Sequence, residues 1–419
     1  MTVSNKPLRF CIITTFYPPY NFGGEGIFVH RLSNELARLG HHVEVIHCID
    51  SYRLLSDNSL SGSYENHPNI KVHGLRSRYG FISPLSTQLT GFPLLKSKRI
   101  TEILEHGFDV IHYHNISLVG GPKILKYGNG IKLLTIHDYW LVCPTHVLFK
   151  FNRAACENPN CFLCVLSYKR PIQLWRYFGT IDDAISHIDR LVAPTHFAME
   201  THERFGLKAP MFYLPHFVPA VEVDSSEEKS IIDDETQKPF FLYIGRLEKL
   251  KGLQTIIPLF RKYEKARLFI LGRGKYESYL KELCGGSRNI VFHGFLTNRE
   301  MEKHLKRALA VIVPSLCYEI SSLVVLEAFS HKVPVIARKI GALKELLENS
   351  RGGGILYETE EDLLRALNHM VDDKLSRNRM GMNAYETYKT EYTSEKHIDR
   401  YFNLINEIVA SNHKSRHRV

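Results

Sequence analysis

The first half of the chain alternates short apolar runs with segments of helical spacing. Leu8–Thr15 is a mainly apolar run, as expected of a strand buried on both faces. Ile27–Leu39 carries apolar residues at helical spacing, and Gly40 follows it as a favoured C-terminal cap. Further strands are predicted at Val43–Cys48, Asp109–His112, Lys132–Ile136 and Arg190–Pro194. Strands that alternate with helices are typical of a parallel sheet with helices on both faces.

The same alternation restarts in the second half, after an acidic stretch. Residues 222–235 are rich in Glu and Asp and offer no core face, so they are predicted to be a linker or surface loop. Strands are then predicted at Phe240–Ile244, Arg267–Leu271, Asn289–Phe292, Ala310–Val313 and Val333–Ala337. From Glu360 onward the pattern is helical, without another strand.

This pattern predicts an α/β fold with two Rossmann-like, doubly wound domains that face each other across a cleft. The first domain is predicted to span residues 1–218, with a cysteine-containing insertion at 139–170. A linker at 219–238 leads to a second domain at 239–392, and 393–419 is predicted to form a helix that crosses back to the first domain. Ligands of such sheets bind outside the carboxyl ends of the strands.

Composition agrees with two ordinary domains. The 419 residues are 44% hydrophobic and 23% charged, which excludes a disordered or collagen-like chain. The sequence contains no run of about 18 apolar residues, the length that a membrane-spanning helix needs. The first apolar stretch ends in Pro18–Pro19 rather than in small residues before a cleavage site, so it is interpreted as a strand and not as a signal peptide. We therefore expect a cytoplasmic protein without a disulfide scaffold.

The chain has a net charge of +10. Its basic residues are spread over both halves, which argues against a nucleic-acid partner and favours anionic substrates or an anionic membrane surface. Residues 76–99 contain five basic residues, several large apolar residues and no acid. This segment is predicted to contact the inner membrane face and a lipid-linked acceptor. An ordinary loop with core anchors is the alternative.

Glycines and charged residues follow the predicted strands. Gly23 and Gly24 lie in the loop before the first helix, where the backbone is able to approach an anion, although an ordinary turn explains them as well. Arg246 and Lys251 follow the first strand of the second half and suit a diphosphate, with solvated surface cations as the alternative.

A third segment carries two carboxylates at the start of a helix. It runs from Glu319 to Glu327, and the helix is predicted to open near Ser322. Carboxylates accept hydrogen bonds from sugar or ribose hydroxyls, and the first N–H groups of a helix bind phosphate. One capping acid on a solvated helix face is the alternative.

In this order, the three segments resemble the retaining glycosyltransferases of the GT-B fold, specifically glycosyltransferase family four. The resemblance also rests on Leu271–Gly274 and Phe292–Phe295 and covers nearly the whole chain. It implies that the first domain binds the acceptor and the second binds the nucleotide sugar. The donor-binding residues that it implies are Gly23, Gly24, Arg246, Lys251, Gly294, Phe295, Ser321, Ser322, Leu323 and Glu327. Arg246 and Lys251 would hold the diphosphate, Glu327 the ribose, and Gly294–Phe295 would lie by the base.

The resemblance also implies the residues near the reaction centre. Glu319 and His137 would contact the donor sugar and act with Arg246 and Lys251 in catalysis, although a structural His137 is the alternative. His112 and His114 are predicted to line the acceptor side. Residues 320–322, Ile-Ser-Ser, depart from the family, which commonly has Gly or Pro there, so the shape of the sugar pocket is expected to differ.

The insertion holds four cysteines close together in sequence. Cys143, Cys156, Cys161 and Cys164 end in a C-x2-C pair, a spacing that suits a structural zinc ion. Unbound thiols, an iron–sulfur cluster or a disulfide are the alternatives.

The expected reaction is transfer of a sugar, with retention, from a UDP- or GDP-sugar to a glycan, lipid-linked or small-molecule hydroxyl. Such a reaction belongs to glycan, polysaccharide or glycolipid biosynthesis. No catalytic metal is expected, because the basic pair neutralises the leaving diphosphate. The alternatives are a nucleotide-sugar epimerase of the same fold and a non-catalytic sugar-nucleotide-binding protein.

Overall fold

The computed structural model describes residues 6–56, 64–220 and 238–416. It contains two compact units. The first comprises residues 1–151, 156–216 and 395–419, and the second comprises 152–155 and 217–394. Most of the predicted acidic linker lies at 221–237, outside the described residues.

The first unit is built on a seven-stranded parallel sheet of order β3-β2-β1-β4-β5-β8-β9. Two further two-residue strands, β6 and β7, lie in the insertion. The strands are β1 Arg9–Ile13, β2 His42–Cys48, β3 Ile70–Leu75, β4 Val110–Tyr113, β5 Ile131–Thr135, β6 Phe149–Lys150, β7 Ala154–Ala155, β8 Arg190–Ala193 and β9 Met211–Tyr213.

The second unit is built on a six-stranded parallel sheet of order β12-β11-β10-β13-β14-β15. Its strands are β10 Phe240–Ile244, β11 Arg267–Leu271, β12 Ile290–Gly294, β13 Val311–Val313, β14 Val335–Arg338 and β15 Gly354–Tyr357. Phe241 and Tyr243 of β10 pack into one apolar core, and Phe240 and Leu242 pack into another. Both faces of this sheet are therefore buried, as expected of a parallel sheet.

Helices connect the strands of both sheets. The helices before the second unit are α1 Gly24–Arg38, α2 Ile49–Leu55, α3 Ile82–Thr90, α4 Ser97–Leu104, α5 Cys161–Ser167, α6 Thr180–Ile185 and α7 His196–Arg204. The later helices are α8 Ile257–Lys262, α9 Glu277–Cys284, α10 Asn298–Leu305, α11 Leu323–Ser330, α12 Gly341–Glu348, α13 Glu360–Asp372, α14 Lys374–Glu391 and α15 Ser394–Arg416.

The predicted α/β fold class is confirmed, and the strands that the pattern missed are all at sheet edges. β3, β9 and β15 are three of the four outer strands of the two large sheets, and β6 and β7 form a two-stranded sheet of their own. β3 keeps most of its residues partly or fully exposed, so its sequence lacks a continuous apolar run. The prediction of a helical tail from Glu360 onward is confirmed by α13, α14 and α15.

Each sheet contains one point where the strand order reverses. In the first unit this point lies between β1 and β4, and in the second between β10 and β13. The loops after these neighbouring strands diverge to opposite sides of the sheet, which leaves a crevice at their carboxyl ends. Gly23, Gly24 and His114 lie after β1 and β4, and Arg246, Lys251 and Glu319 lie after β10 and β13, whereas His137 follows β5 and Gly294 ends β12.

Candidate active site

The loops at the carboxyl edge of the second sheet pack so closely that only glycine fits at two positions. Gly252 has a φ of 80°, and a Cβ there would lie 1.9 Å from the Pro314 carbonyl oxygen. A Cβ on Gly272 would lie 1.9 Å from the Gly245 carbonyl oxygen. The glycines of the two motifs therefore let the loops after β10, β11 and β13 approach one another.

Lys251 and Glu319 form an ion pair across the strand-order reversal of the second unit. Lys251 Nζ lies 2.7 Å from Glu319 Oε1, and the Ser315 hydroxyl donates to the same oxygen at 2.5 Å. Burial alone would raise the pKa of Glu319, but Lys251 and the Ser315 hydroxyl lower it overall. Burial lowers the pKa of Lys251, but Glu319 raises it overall. Both side chains are therefore charged at neutral pH.

Arg246 lies at the same edge and is more accessible. Its Nη1 is 2.8 Å from Glu248 Oε1, and 44% of its side chain is exposed. Its charge also lowers the pKa of Glu319, so the guanidinium adds to the positive potential around the pair. A fork of N–H donors beside an ammonium group suits a diphosphate.

Helix α11 begins directly after this loop. Ser322 is its N-cap, and the helix starts at Leu323, in agreement with the predicted start near Ser322. The first N–H groups of a helix have no partner within the helix and attract anions. Ser322, Ile320 and Glu327 are buried, whereas Ser321 is partly exposed. The bulky Ile320, which departs from the family pattern, is thus packed into the protein.

The end of β12 lies beside the loop after β11. The Gly272 N–H donates to the Gly294 carbonyl oxygen at 2.7 Å, and Gly294 has a φ of 71°. The ring of Phe295 is 48% exposed at this edge. His293, in contrast, packs against Phe269 and His304, with ring centroids 4.7 Å away in each case.

In the first unit, the glycine loop leads into α1 at Gly24, and Gly23 is its N-cap with a φ of 94°. Glu25 lies in the first turn of this helix. It accepts hydrogen bonds from Thr14 Oγ1 at 2.9 Å and from Asn115 Nδ2 at 3.1 Å. The carboxylate of Glu25 is therefore a favourable negative charge at the N-terminus of this helix.

A cluster of histidines, of which His137 is partly exposed and the others are buried, lies behind this loop. A hydrogen bond of 2.8 Å joins His114 Nδ1 and His137 Nε2, and His216 stacks on His137 with ring centroids 5.0 Å apart. His397 of α15 accompanies them and bonds to the Pro215 carbonyl oxygen at 2.7 Å. Burial lowers the pKa of His137 and of His397 to about 4, so these two rings are neutral at pH 7.

His112, which the sequence predicts on the acceptor side, has both ring nitrogens hydrogen-bonded within the first unit. Its Nδ1 lies 3.0 Å from the Tyr401 hydroxyl, and its Nε2 lies 2.8 Å from Thr135 Oγ1. The ring is buried, and burial lowers its pKa well below the usual value. Both nitrogens thus serve the core. His114 is also buried, and its Nε2 has no hydrogen-bond partner among the described residues.

Asp138 forms hydrogen bonds with residues at the start of the insertion. It accepts from the Trp140 N–H at 2.8 Å and pairs with His146 Nδ1 at 2.7 Å. Asn115 Nδ2 donates to it at 3.3 Å. Burial would raise the pKa of Asp138, but His146 and the Trp140 N–H lower it overall.

Sequence reasoning missed several residues of this network. Glu25, Asn115, His146, His216 and His397 meet only through the fold. Asn115 could have been predicted as a site residue, because it is polar and follows β4 at the carboxyl edge of the sheet. His397 could not, since it is remote in sequence from the strands on which it packs.

The four cysteines of the insertion line one small cavity of about 20 Å³. Cys143, Cys156 and Cys164 are buried and Cys161 is partly exposed. Among the residues that the structure describes, no three or more His, Cys, Asp or Glu side chains already form a set of metal ligands. The other four cysteines are buried elsewhere in the two units: Cys11, Cys48, Cys284 and Cys317.

Comparison with known proteins assigns the chain to one class of enzyme. The family model described as Glycosyltransferase Family 4 matches residues 22–221, and the model described as Glycosyl transferases group 1 matches residues 224–387. Together they cover most of the chain. An uncharacterized glycosyltransferase of Methanocaldococcus jannaschii, MJ1607, is 24% identical over 94% of this chain and 98% of its own length.

Solved structures show the same fold. Sucrose-phosphate synthase from Thermosynechococcus elongatus has a TM-score of 0.73 at 18% identity, over 96% of this chain and all of that one. HepE from Anabaena, solved in complex with UDP, has a TM-score of 0.62 at 14% identity, over 97% of this chain and all of that one.

The protein is thus an enzyme of the glycosyltransferase class with GT-B architecture. Within that class, the first half of the chain matches the model of glycosyltransferase family four, and the second half matches that of glycosyl transferases group 1. Among the described residues, no helix is both long enough and apolar enough to cross a membrane.

Proposed function

We propose that this glycosyltransferase moves a sugar from a nucleoside diphosphate sugar to an acceptor hydroxyl with retention of anomeric configuration. One observation carries the proposal: the Lys251–Glu319 pair lies with Arg246 at the strand-order reversal, where α11 begins. This arrangement offers two cations and helix N–H groups to a diphosphate, and a carboxylate to sugar hydroxyls. The UDP complex of HepE supports a nucleotide of this kind.

The difficult step of this reaction is the departure of the diphosphate. Arg246 and Lys251 would stabilise the negative charge that develops on its oxygens as the glycosidic bond breaks. The pair with Glu319 keeps the ammonium group in place before substrate binds, so little reorganisation is needed. The acceptor hydroxyl would attack from the face that the diphosphate leaves, and a phosphate oxygen would take its proton. This route preserves the anomeric configuration.

Glu327 and the end of β12 are proposed to hold the nucleoside. Glu327 is buried in α11, close in sequence to the helix start that faces the diphosphate, and its carboxylate would accept from ribose hydroxyls. The exposed ring of Phe295 and the open backbone at Gly294 offer a surface for the base.

The acceptor is proposed to be lipid-linked or a growing glycan at an anionic membrane surface. An apolar-basic surface on the first unit supports this. It consists of the exposed residues Tyr79, Phe81, Ile82, Leu89, Leu94 and Leu95 with Arg53, Arg76 and Arg78. The three arginines line a groove of about 680 Å³ together with Phe81. Guanidinium groups next to apolar side chains suit anionic headgroups above acyl chains.

One basic residue of the predicted membrane segment does not take part in this surface. Lys96 is buried, and its Nζ donates to Thr87 Oγ1 at 3.1 Å and to the Leu118 carbonyl oxygen at 3.0 Å. It anchors the segment to the core, while Arg76, Arg78, Lys98 and Arg99 stay exposed.

A ligand and product screen tests the proposed reaction. Thermal unfolding is first compared with UDP, GDP and ADP, since ligand at about 100 times its Kd stabilises by about 2.7 kcal/mol. Sugars of the stabilising nucleotide are then incubated with and without lipid and glycan acceptors, and NMR reads the anomeric configuration of the product. Conversion of the donor sugar without an acceptor would indicate an epimerase. Nucleotide binding without turnover would indicate a binding protein.

A further inference from the structure

The insertion that follows Asp138 has little regular structure to hold it. Between β5 and α6 it contains only two two-residue strands, β6 and β7, the seven-residue helix α5 and a short 3-10 turn at Leu174–Phe178. Three large apolar residues of α5, namely Phe162, Leu163 and Leu166, are about half exposed. Strand pairing therefore contributes little to the shape of the segment, and its apolar anchors, such as Trp140, Leu148 and Phe149, lie outside this helix.

The backbone of the insertion is also strained. Non-glycine residues with positive φ are rare because their Cβ crowds the following carbonyl oxygen, at a cost of about 1–2 kcal/mol each. The described chain has seven of them, and five lie in the insertion: His146, Leu148, Phe151, Asn152 and Lys169. Strain of this kind persists only where other contacts determine the conformation strongly.

The four thiols converge inside this strained segment. Cys143, Cys156, Cys161 and Cys164 all line the cavity of about 20 Å³, which is room for about one water-sized atom. Thr145 and Phe205 complete part of its wall. The Phe151 N–H donates to Cys164 Sγ at 3.4 Å, and Phe151 itself has a φ of 53°. One strained residue thus directs its backbone N–H at one of the sulfurs.

Positive charge lies near the thiols. Lys150 lines the same cavity as the four cysteines. Arg176 contacts Trp140 and Trp175, with its guanidinium carbon 5.0 and 4.8 Å from the ring centroids. Cations at these positions suit a metal site whose sulfurs carry negative charge.

We propose that Cys143, Cys156, Cys161 and Cys164 bind one zinc ion as four thiolates. On binding, each Zn–S bond replaces an S–H bond and the thiol protons pass to solvent. Four thiolates around Zn²⁺ carry a net charge of about −2, which Lys150 and Arg176 offset. Among the described residues the four thiols are not placed as a set of metal ligands, so zinc binding requires them to move closer together.

This zinc site would act as a structural cross-link. The ion joins the start of the insertion at Cys143 to α5 at Cys161 and Cys164, and so holds the strained loop between them. The same loop carries His146, whose Nδ1 lies 2.7 Å from Asp138. A tetrahedral site with four protein ligands has no open position, so it plays no part in the chemistry of sugar transfer.

Metal analysis of the full-length protein tests this proposal. The protein is purified with reductant, loaded with zinc chloride, passed through a desalting column and analysed for metal. We expect about one zinc per chain, and cobalt loading should give the absorption bands of tetrahedral thiolate coordination. Titration with a mercurial reagent should release the zinc in step with about four thiols.

Matched cysteine variants locate the site. Cys161→Ser is the mildest change, because Cys161 is the only partly exposed thiol of the four. It should lower zinc retention by about tenfold or more. Cys284→Ser, which removes a buried thiol of the second unit, should retain full zinc. Wild-type protein without zinc after loading, unchanged zinc in Cys161→Ser, or a disulfide among the four cysteines in non-reduced peptide maps would overturn the proposal.

Discussion

Lys251 Nζ lies 2.7 Å from Glu319 Oε1, although the two residues are 68 positions apart in sequence. They come from the loops after β10 and β13, neighbouring strands at which the order of the sheet reverses. Their side chains are only 22% and 14% exposed, so the attraction is weakly screened. The pair links the cationic loop to the loop that opens α11.

The first prediction concerns the stability of this pair. Lys251→Met or Glu319→Gln alone leaves one charge partly buried without its partner, and each should lower the free energy of unfolding by about 1–3 kcal/mol. The double variant should be no less stable than the worse single variant. Denaturant unfolding of the four proteins gives the coupling energy. Additive losses in the double variant would contradict an interaction between the two side chains.

The same pair predicts a pH dependence. The pKa of Glu319 is lowered in the fold, so the unfolded chain binds more protons. The contribution of the pair is therefore complete above the ordinary glutamate pKa and is lost as the pH falls through the lower value of the folded state. Glu319→Gln should flatten this part of the stability profile between neutral and acidic pH.

The second prediction concerns turnover. Arg246→Ala removes charge-assisted hydrogen bonds worth about 1.5–3 kcal/mol in the transition state. Turnover should fall by about ten- to a few hundred-fold, measured as product formed with saturating donor. Lys249→Ala is the matched control, because Lys249 is an exposed cation of the same loop. Turnover of Arg246→Ala within about two-fold of wild type would remove Arg246 from the mechanism.

The third prediction separates backbone strain from close contact. Gly252 and Gly286 have similar φ values of 80° and 73°, but a Cβ on Gly286 would meet nothing within 4 Å. Gly286→Ala should cost about 1–2 kcal/mol from strain alone. Gly252→Ala should cost about 1–3 kcal/mol more, because its Cβ overlaps the Pro314 carbonyl oxygen. Equal thermal unfolding midpoints for Gly252→Ala and Gly286→Ala would contradict this, because they would show that the loops after β10 and β13 move apart at no cost in stability.

The fourth prediction concerns the histidine cluster. The pKa of His137 and of His397 is about 4 in the fold, below the usual 6.5, so protons bind the unfolded chain preferentially as the pH falls. Each of these two histidines should lower the free energy of unfolding by about 2 kcal/mol between pH 7 and pH 5. In urea unfolding, His397→Asn should reduce the change of this free energy with pH, whereas His187→Gln, at an exposed position, should not. An unchanged pH dependence in His397→Asn would contradict the lowered pKa of His397.

The fifth prediction concerns the apolar-basic surface. The protein should sediment with vesicles that contain anionic lipid, and less so at high salt. Phe81→Ser with Ile82→Ser removes two exposed apolar side chains and should weaken binding by about tenfold or more. Leu375→Ser removes an apolar side chain that is 81% exposed in the second unit, and serves as control. Equal binding of all three proteins would exclude this surface.

Much of the second unit could be predicted from its sequence. The bounds predicted for β10 and β11 agree with the structure, because these inner strands are continuous apolar runs. The start of α11 near Ser322 was also predictable. Of the four edge strands, β12 was predicted, but β3, β9 and β15 were not, because an edge strand does not need a continuous apolar run.

The local sequence determined which residue types follow which strands, and with them the fold class and the class of enzyme. Those features depend on short-range patterns, in which burial of a strand and the first turn of a helix each need particular neighbours. Only the tertiary structure decided that Lys251 meets Glu319, that His112 serves the core, and that four thiols share one cavity. Such contacts join residues from separate loops, and their distances follow from strand order and packing rather than from spacing along the chain.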